Sequence, residues 1–81
     1  MDKVTSRAID FLSDNPDVCR QLANSADEFR KADPGKGLDD VAVFMFESFV
    51  KATEVDGESP YAKANIMNVI LAIAEVSGFE F

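Results

Sequence analysis

A run of six apolar residues, Val41 to Phe46, constrains the fold of this chain more than any other feature of its sequence. As a β-strand the run would have no polar face. No helix breaker follows it until Asp56-Gly57, so the uninterrupted segment is too long for a typical strand. No other segment resembles a strand that could pair with it. We therefore interpret the run as part of a helix, because tertiary context overrides the β preference of valine and phenylalanine. The chain is predicted to be all-α.

Capping and turn residues divide the chain into four helices. Asp2 and Asn15 can cap the first and second helices. Pro16 and Pro60 suit the first position of the second and fourth helices, where a missing N–H costs no hydrogen bond. The DPGKG turn ends the second helix, and Gly78 ends the fourth. We predict a compact bundle of about four helices, over residues 3–13, 16–32, 39–55 and 60–77.

The length of the chain, 81 residues, predicts a single helical domain over residues 1–81. A domain of this size buries only about 60% of the surface that its unfolded chain exposes, so a partner could add useful buried area. One cysteine allows no intramolecular disulfide, and no signal-peptide pattern is present. We therefore expect a cytoplasmic protein.

The net charge of −7 opposes direct binding to nucleic acids and to anionic lipid surfaces. Most of this charge lies in the second half, since residues 38–81 contain eight acids and two bases. No apolar run approaches the roughly 20 residues that a membrane-spanning helix needs. We expect neither nucleic acid nor membrane as a direct partner.

The sequence offers no obvious group for catalysis or metal binding. Histidine is absent, and Cys19 lies on an apolar helical stripe, which is typical of a core thiol. The acids of LDDV and EVDGE are interpreted as caps and solvated turns. If Gly57 were the central glycine of a calcium loop, Ala52 and Lys63 would have to coordinate the ion, which neither can do. We predict a protein that is not an enzyme and holds no cofactor or metal.

Apolar residues exceed what one small bundle can bury. On the third and fourth predicted helices they continue onto the arc opposite the core face, which is typical of a helix that is covered on several sides. We expect this surplus to form a docking surface for a protein partner or for a second copy in a homodimer, since large apolar anchors dominate binding energy. The predicted docking residues are Val43, Phe44, Val50, Tyr61, Asn68 and Leu71.

Two alternatives to docking remain open at this stage. The helices could pack irregularly and bury these residues internally. The acidic second half could instead imitate the phosphates of a nucleic acid, as in a phage or mobile-element inhibitor that acts as a decoy. The residues of such a decoy surface would be Asp39, Asp40, Glu47, Glu54, Asp56 and Glu58.

Overall fold

A computed structural model describes residues 2–80 and confirms the all-α bundle. Its helices are α1 (Lys3–Asp14), α2 (Pro16–Ala32), α3 (Leu38–Ala52) and α4 (Ile66–Ser77), with a short 3-10 turn over Lys63–Asn65 before α4.

One residue, Asn15, connects α1 to α2, because Pro16 begins the second helix immediately after it. The Asp2 carboxylate caps α1 and accepts a hydrogen bond from the Val4 N–H at 3.0 Å. The Asn15 side chain was expected to cap α2, but its amide donates to the Phe11 carbonyl at 2.8 Å and so completes the end of α1. Pro16 then occupies the first turn of α2, as predicted.

The connection between α3 and α4 differs from the sequence prediction. The chain leaves α3 at Thr53 and makes a tight turn, in which Val55 and Glu58 exchange backbone hydrogen bonds. Asp56 and Gly57 both have positive φ, as such two-residue turns require. The third helix therefore ends at Ala52 rather than at residue 55, and the fourth begins at Ile66 rather than at residue 60.

Side-chain hydrogen bonds explain why Ser59 and Pro60 do not start a helix. The Ser59 hydroxyl lies 2.7 Å from the Thr53 hydroxyl and accepts a hydrogen bond from the Tyr61 N–H at 3.2 Å. The Ser59 hydroxyl therefore bonds to the end of α3 instead of capping a following helix. The 3-10 turn before α4 is supported by Asn65, whose side-chain oxygen accepts from the Ala62 N–H at 3.1 Å.

α1 and α4, the first and last helices, pack most extensively against each other and run in the same direction. Asn68 near the start of α4 donates a hydrogen bond to Asp2 at the start of α1. At the other end, Leu12 and Val76 line one cleft. Each helix contributes a fully buried alanine, Ala8 and Ala72, which suits close approach.

One hydrophobic core draws on all four helices and the connector. Phe49 of α3 lies near its centre, with edge-on ring contacts to Phe11 at 5.7 Å and to Tyr61 at 4.8 Å. The chain after α4 also packs on this core, because Gly78 turns it with φ of 71° and Phe79 lies beneath the Arg30 guanidinium.

Candidate docking surface

Phe44, the aromatic residue expected at the docking surface, is half-buried and stacked on α2. Its ring lies 4.5 Å from the Phe29 ring, centroid to centroid, with an interplanar angle of 14°. The Lys36 ammonium lies over the Phe29 ring, 5.5 Å from its centroid. Phe44 therefore contributes to the α2–α3 contact and is not a free anchor.

Tyr61 lies in the core, with 7% of its surface exposed. The residue precedes α4 in non-helical chain, so the helical periodicity that placed it on the outward side does not apply there. Burial raises the pKa of its phenol, and Asp10 raises it further, whereas the nearby Arg7 lowers it. Tyr61 is accordingly a packing partner of Phe49.

The remaining predicted docking residues do not all line one cleft. Val43 is 38% exposed on α3, whereas Val50 is half-buried against the core. Leu71 is 58% exposed on α4, in a shallow cleft between α1 and α4 that Asn68 also lines. Because Asn68 donates to Asp2, its amide serves the contact between α1 and α4.

An open apolar groove lies where the first turns of α3 and α4 meet. Its volume is about 330 Å³. Leu38 and Met67 are 54% and 64% exposed, and Ile70 forms a buried part of the floor. We call this feature the α3–α4 groove. It is lined by Leu38, Asp39, Ala42, Val43, Ile66, Met67 and Ile70.

Sequence reasoning missed two prominent groove residues. Leu38 precedes the predicted third helix, but it occupies the first position of α3, where no preceding turn of helix covers it. Met67 lies four residues before Leu71 and therefore on the same side of α4. That spacing was the signal that could have identified it.

All six residues of the predicted acidic surface are exposed. Asp39, Asp40 and Glu47 lie on α3, and the other three follow in the connector. The Asp40 carboxylate also accepts a hydrogen bond from the Gly37 N–H at 3.3 Å. The two ion pairs found within residues 2–80 join Arg20 to Asp17 and Arg30 to Asp27, so neither neutralises this surface.

Cys19 is buried, with 6% of its surface exposed, and burial raises the pKa of its thiol. A thiol with a raised pKa is a poor nucleophile at neutral pH, because the thiolate is the reactive form. Within residues 2–80, no group of three Cys, Asp or Glu side chains is arranged to hold a metal ion. The helices described here include none that is both long and apolar enough to cross a bilayer.

No family model matches the chain, and neither a curated protein nor a solved structure was found to be similar to it.

Proposed function

We propose that this chain is a small non-catalytic interaction module that docks on another protein, or on a second copy, through the exposed apolar surface of α3 and α4. The carrying observation is that large exposed apolar residues of two different helices line one groove. Scattered apolar residues are normal on any surface, but contiguous ones are typical of interaction sites. The exposed members are Leu38, Val43 and Met67, with Leu71 next to Met67 on α4.

The core does not need these side chains. Phe49, Met45 and Ile73 are fully buried in the core, whereas Met67 and Leu71 are 64% and 58% exposed. Exposed apolar side chains that neither stabilise helix packing nor improve solubility are consistent with a role in binding.

A photo-reactive amino acid at a groove position tests the proposal. It would replace Met67 in one variant and Gln21, an exposed polar residue of α2, in the control variant. Irradiation in cells of the source organism should give a discrete protein adduct, or a covalent dimer of this chain, at position 67 and not at 21. Equal adduct patterns at the two positions would overturn docking through the groove.

The decoy function is a second candidate, supported by the exposure of all six acids and by the absence of ion pairs to them within residues 2–80. It makes a different prediction about salt. A decoy's affinity for a nucleic-acid-binding protein should fall by about tenfold or more between 50 and 200 mM salt, because phosphate-like contacts are screened. Affinity that is nearly independent of salt would favour apolar docking.

A further inference from the structure

We infer that the occupant of the α3–α4 groove is a basic amphipathic helix of a partner protein. This inference rests on the proposed function, and it adds the chemistry of the partner.

The shape of the groove suits a helix. Two helices form its walls, and its floor consists of apolar side chains, including Ile66 and Ile70. Grooves of this kind accept the apolar face of an amphipathic helix, whose side chains at positions i, i+3, i+4 and i+7 serve as anchors. Seven residues line the groove. A stable dimer interface uses about 20 to 30 residues from each side, so a narrow segment fits better than a second globular domain.

The charge on the α3 wall selects a basic partner. The residues three and four positions before Val43 are Asp40 and Asp39, and the residue four positions after it is Glu47. Residues at these spacings are neighbours on a helix surface, so Val43 shares one side of α3 with three exposed acids, of which Asp39 also lines the groove. Lys63 lies in the 3-10 turn before α4 and does not line the groove. A helix with an apolar stripe flanked by lysine or arginine would match both the apolar groove and the acids on the α3 wall.

The same charges oppose a second copy of this chain as the occupant. In a two-fold dimer the same patch meets itself, so the carboxylates around Val43 of each copy would approach each other. Each chain also carries a net charge of −7. Like charges brought together across an interface suppress association, whereas basic residues accelerate it.

Two designed peptides test the inference. One is a helix of about four turns with leucine on one face and lysine on the other. The second replaces each lysine with glutamate. Each is titrated into isotope-labelled chain while amide NMR shifts are recorded. The leucine–lysine peptide should bind saturably, with Kd of about 10 µM, and should shift the amides of Leu38, Val43 and Met67, whereas the glutamate peptide should not.

Variants of the chain show whether this binding uses the groove and its acids. Met67→Gln removes apolar contact. The double variant Asp39→Asn with Glu47→Gln removes two charges at the α3 wall. The matched control Asp14→Asn with Glu28→Gln removes two exposed charges elsewhere. Met67→Gln and the groove charge variant should each weaken binding of the leucine–lysine peptide about tenfold, and the control should weaken it less than about threefold.

The outcomes separate this inference from the proposed function. If both peptides shift the groove amides equally, docking stands and the basic partner is overturned. If the groove amides shift with protein concentration in the absence of peptide, the occupant is a second copy, and again this inference fails alone. If neither peptide affects the groove, or if the groove variants bind the lysine peptide as well as the control does, this inference fails, and a matching absence of a position-67 adduct in the cross-linking experiment would overturn docking as well.

Discussion

The two sides of α4 differ in what covers them. On one side, Val69, Ala72 and Ile73 are fully buried, and α1 runs alongside in the same direction. On another side, Met67 and Leu71 are 64% and 58% exposed, with Leu71 at the edge of the cleft between α1 and α4. Both sides are apolar, so composition does not distinguish them. An apolar helix can therefore carry one face that packs in the fold and another that stays exposed, and only the effects of substitutions separate the two.

Replacing Ile73 with alanine should have the largest effect on stability, because it removes packing from the covered side of α4. Ile73 has no exposed surface, and removal of its side chain leaves a cavity that the surrounding core cannot fill without distortion. We expect the free energy of unfolding to fall by about 2–5 kcal/mol, a large part of the stability of a small domain. Urea unfolding followed by circular dichroism measures the change. A loss below about 1 kcal/mol would mean that α4 is not packed as described.

Replacing Phe44 with alanine should have the next largest effect, since α3 shows the same division between covered and open sides. Its ring stacks on Phe29, so the substitution removes a ring pair together with buried apolar surface. We expect a loss of about 2 kcal/mol. The neighbouring Val43→Ala variant, measured in the same urea titration, is the matched control and should lose less than about 0.5 kcal/mol. Equal stability of the two variants would indicate that Phe44 belongs to the docking surface and not to the α2–α3 contact.

The sequence predicted the fold class and most helix boundaries because strong local signals decide them. Pro16 separates α1 from α2, and the DPGKG turn separates α2 from α3. The start of α4 was predicted too early because Pro60, which suits the first position of a helix, lies in the connection between α3 and α4. Ser59 hydrogen-bonds Thr53, six residues away, and this contact competes with helix capping.

The docking residues were predicted less well for a different physical reason. Periodicity shows which side chains share a face, but it does not show which neighbouring helix covers that face. Phe44 was assigned to an open face because the stack with Phe29 depends on the path of the α2–α3 turn. Leu71 was correctly expected to be exposed, while Met67, on the same stripe, was overlooked.

The N-terminal cap of α1 gives the stability of the fold a pH dependence through Asp2. The hydrogen bond from the Val4 N–H lowers the pKa of Asp2 below its ordinary value of 3.8. A carboxylate with a lowered folded pKa stabilises the fold above its unfolded pKa, and this contribution is lost as the pH falls through the folded value. We therefore expect stability to decline below about pH 4, with a smaller decline in Asp2→Asn, as measured by urea unfolding across that range. An identical decline in both proteins would show that other carboxylates cause it.

The smallest effect on stability is expected at Leu71, and it is the most direct test of the comparison, since Ala72 is adjacent on the same helix. Leu71→Gln should change the free energy of unfolding by less than about 0.5 kcal/mol, because its side chain is 58% exposed. Ala72→Leu adds volume at a fully buried position and should cost about 1–3 kcal/mol. Both are measured by the same urea titration. If Leu71→Gln destabilises the protein as much as Ala72→Leu does, the exposed stripe belongs to the core, and the argument for a docking surface on α4 loses its basis. If the expected difference is found, Leu71 contributes nothing to the fold that glutamine does not, which leaves binding as the property to measure for this stripe.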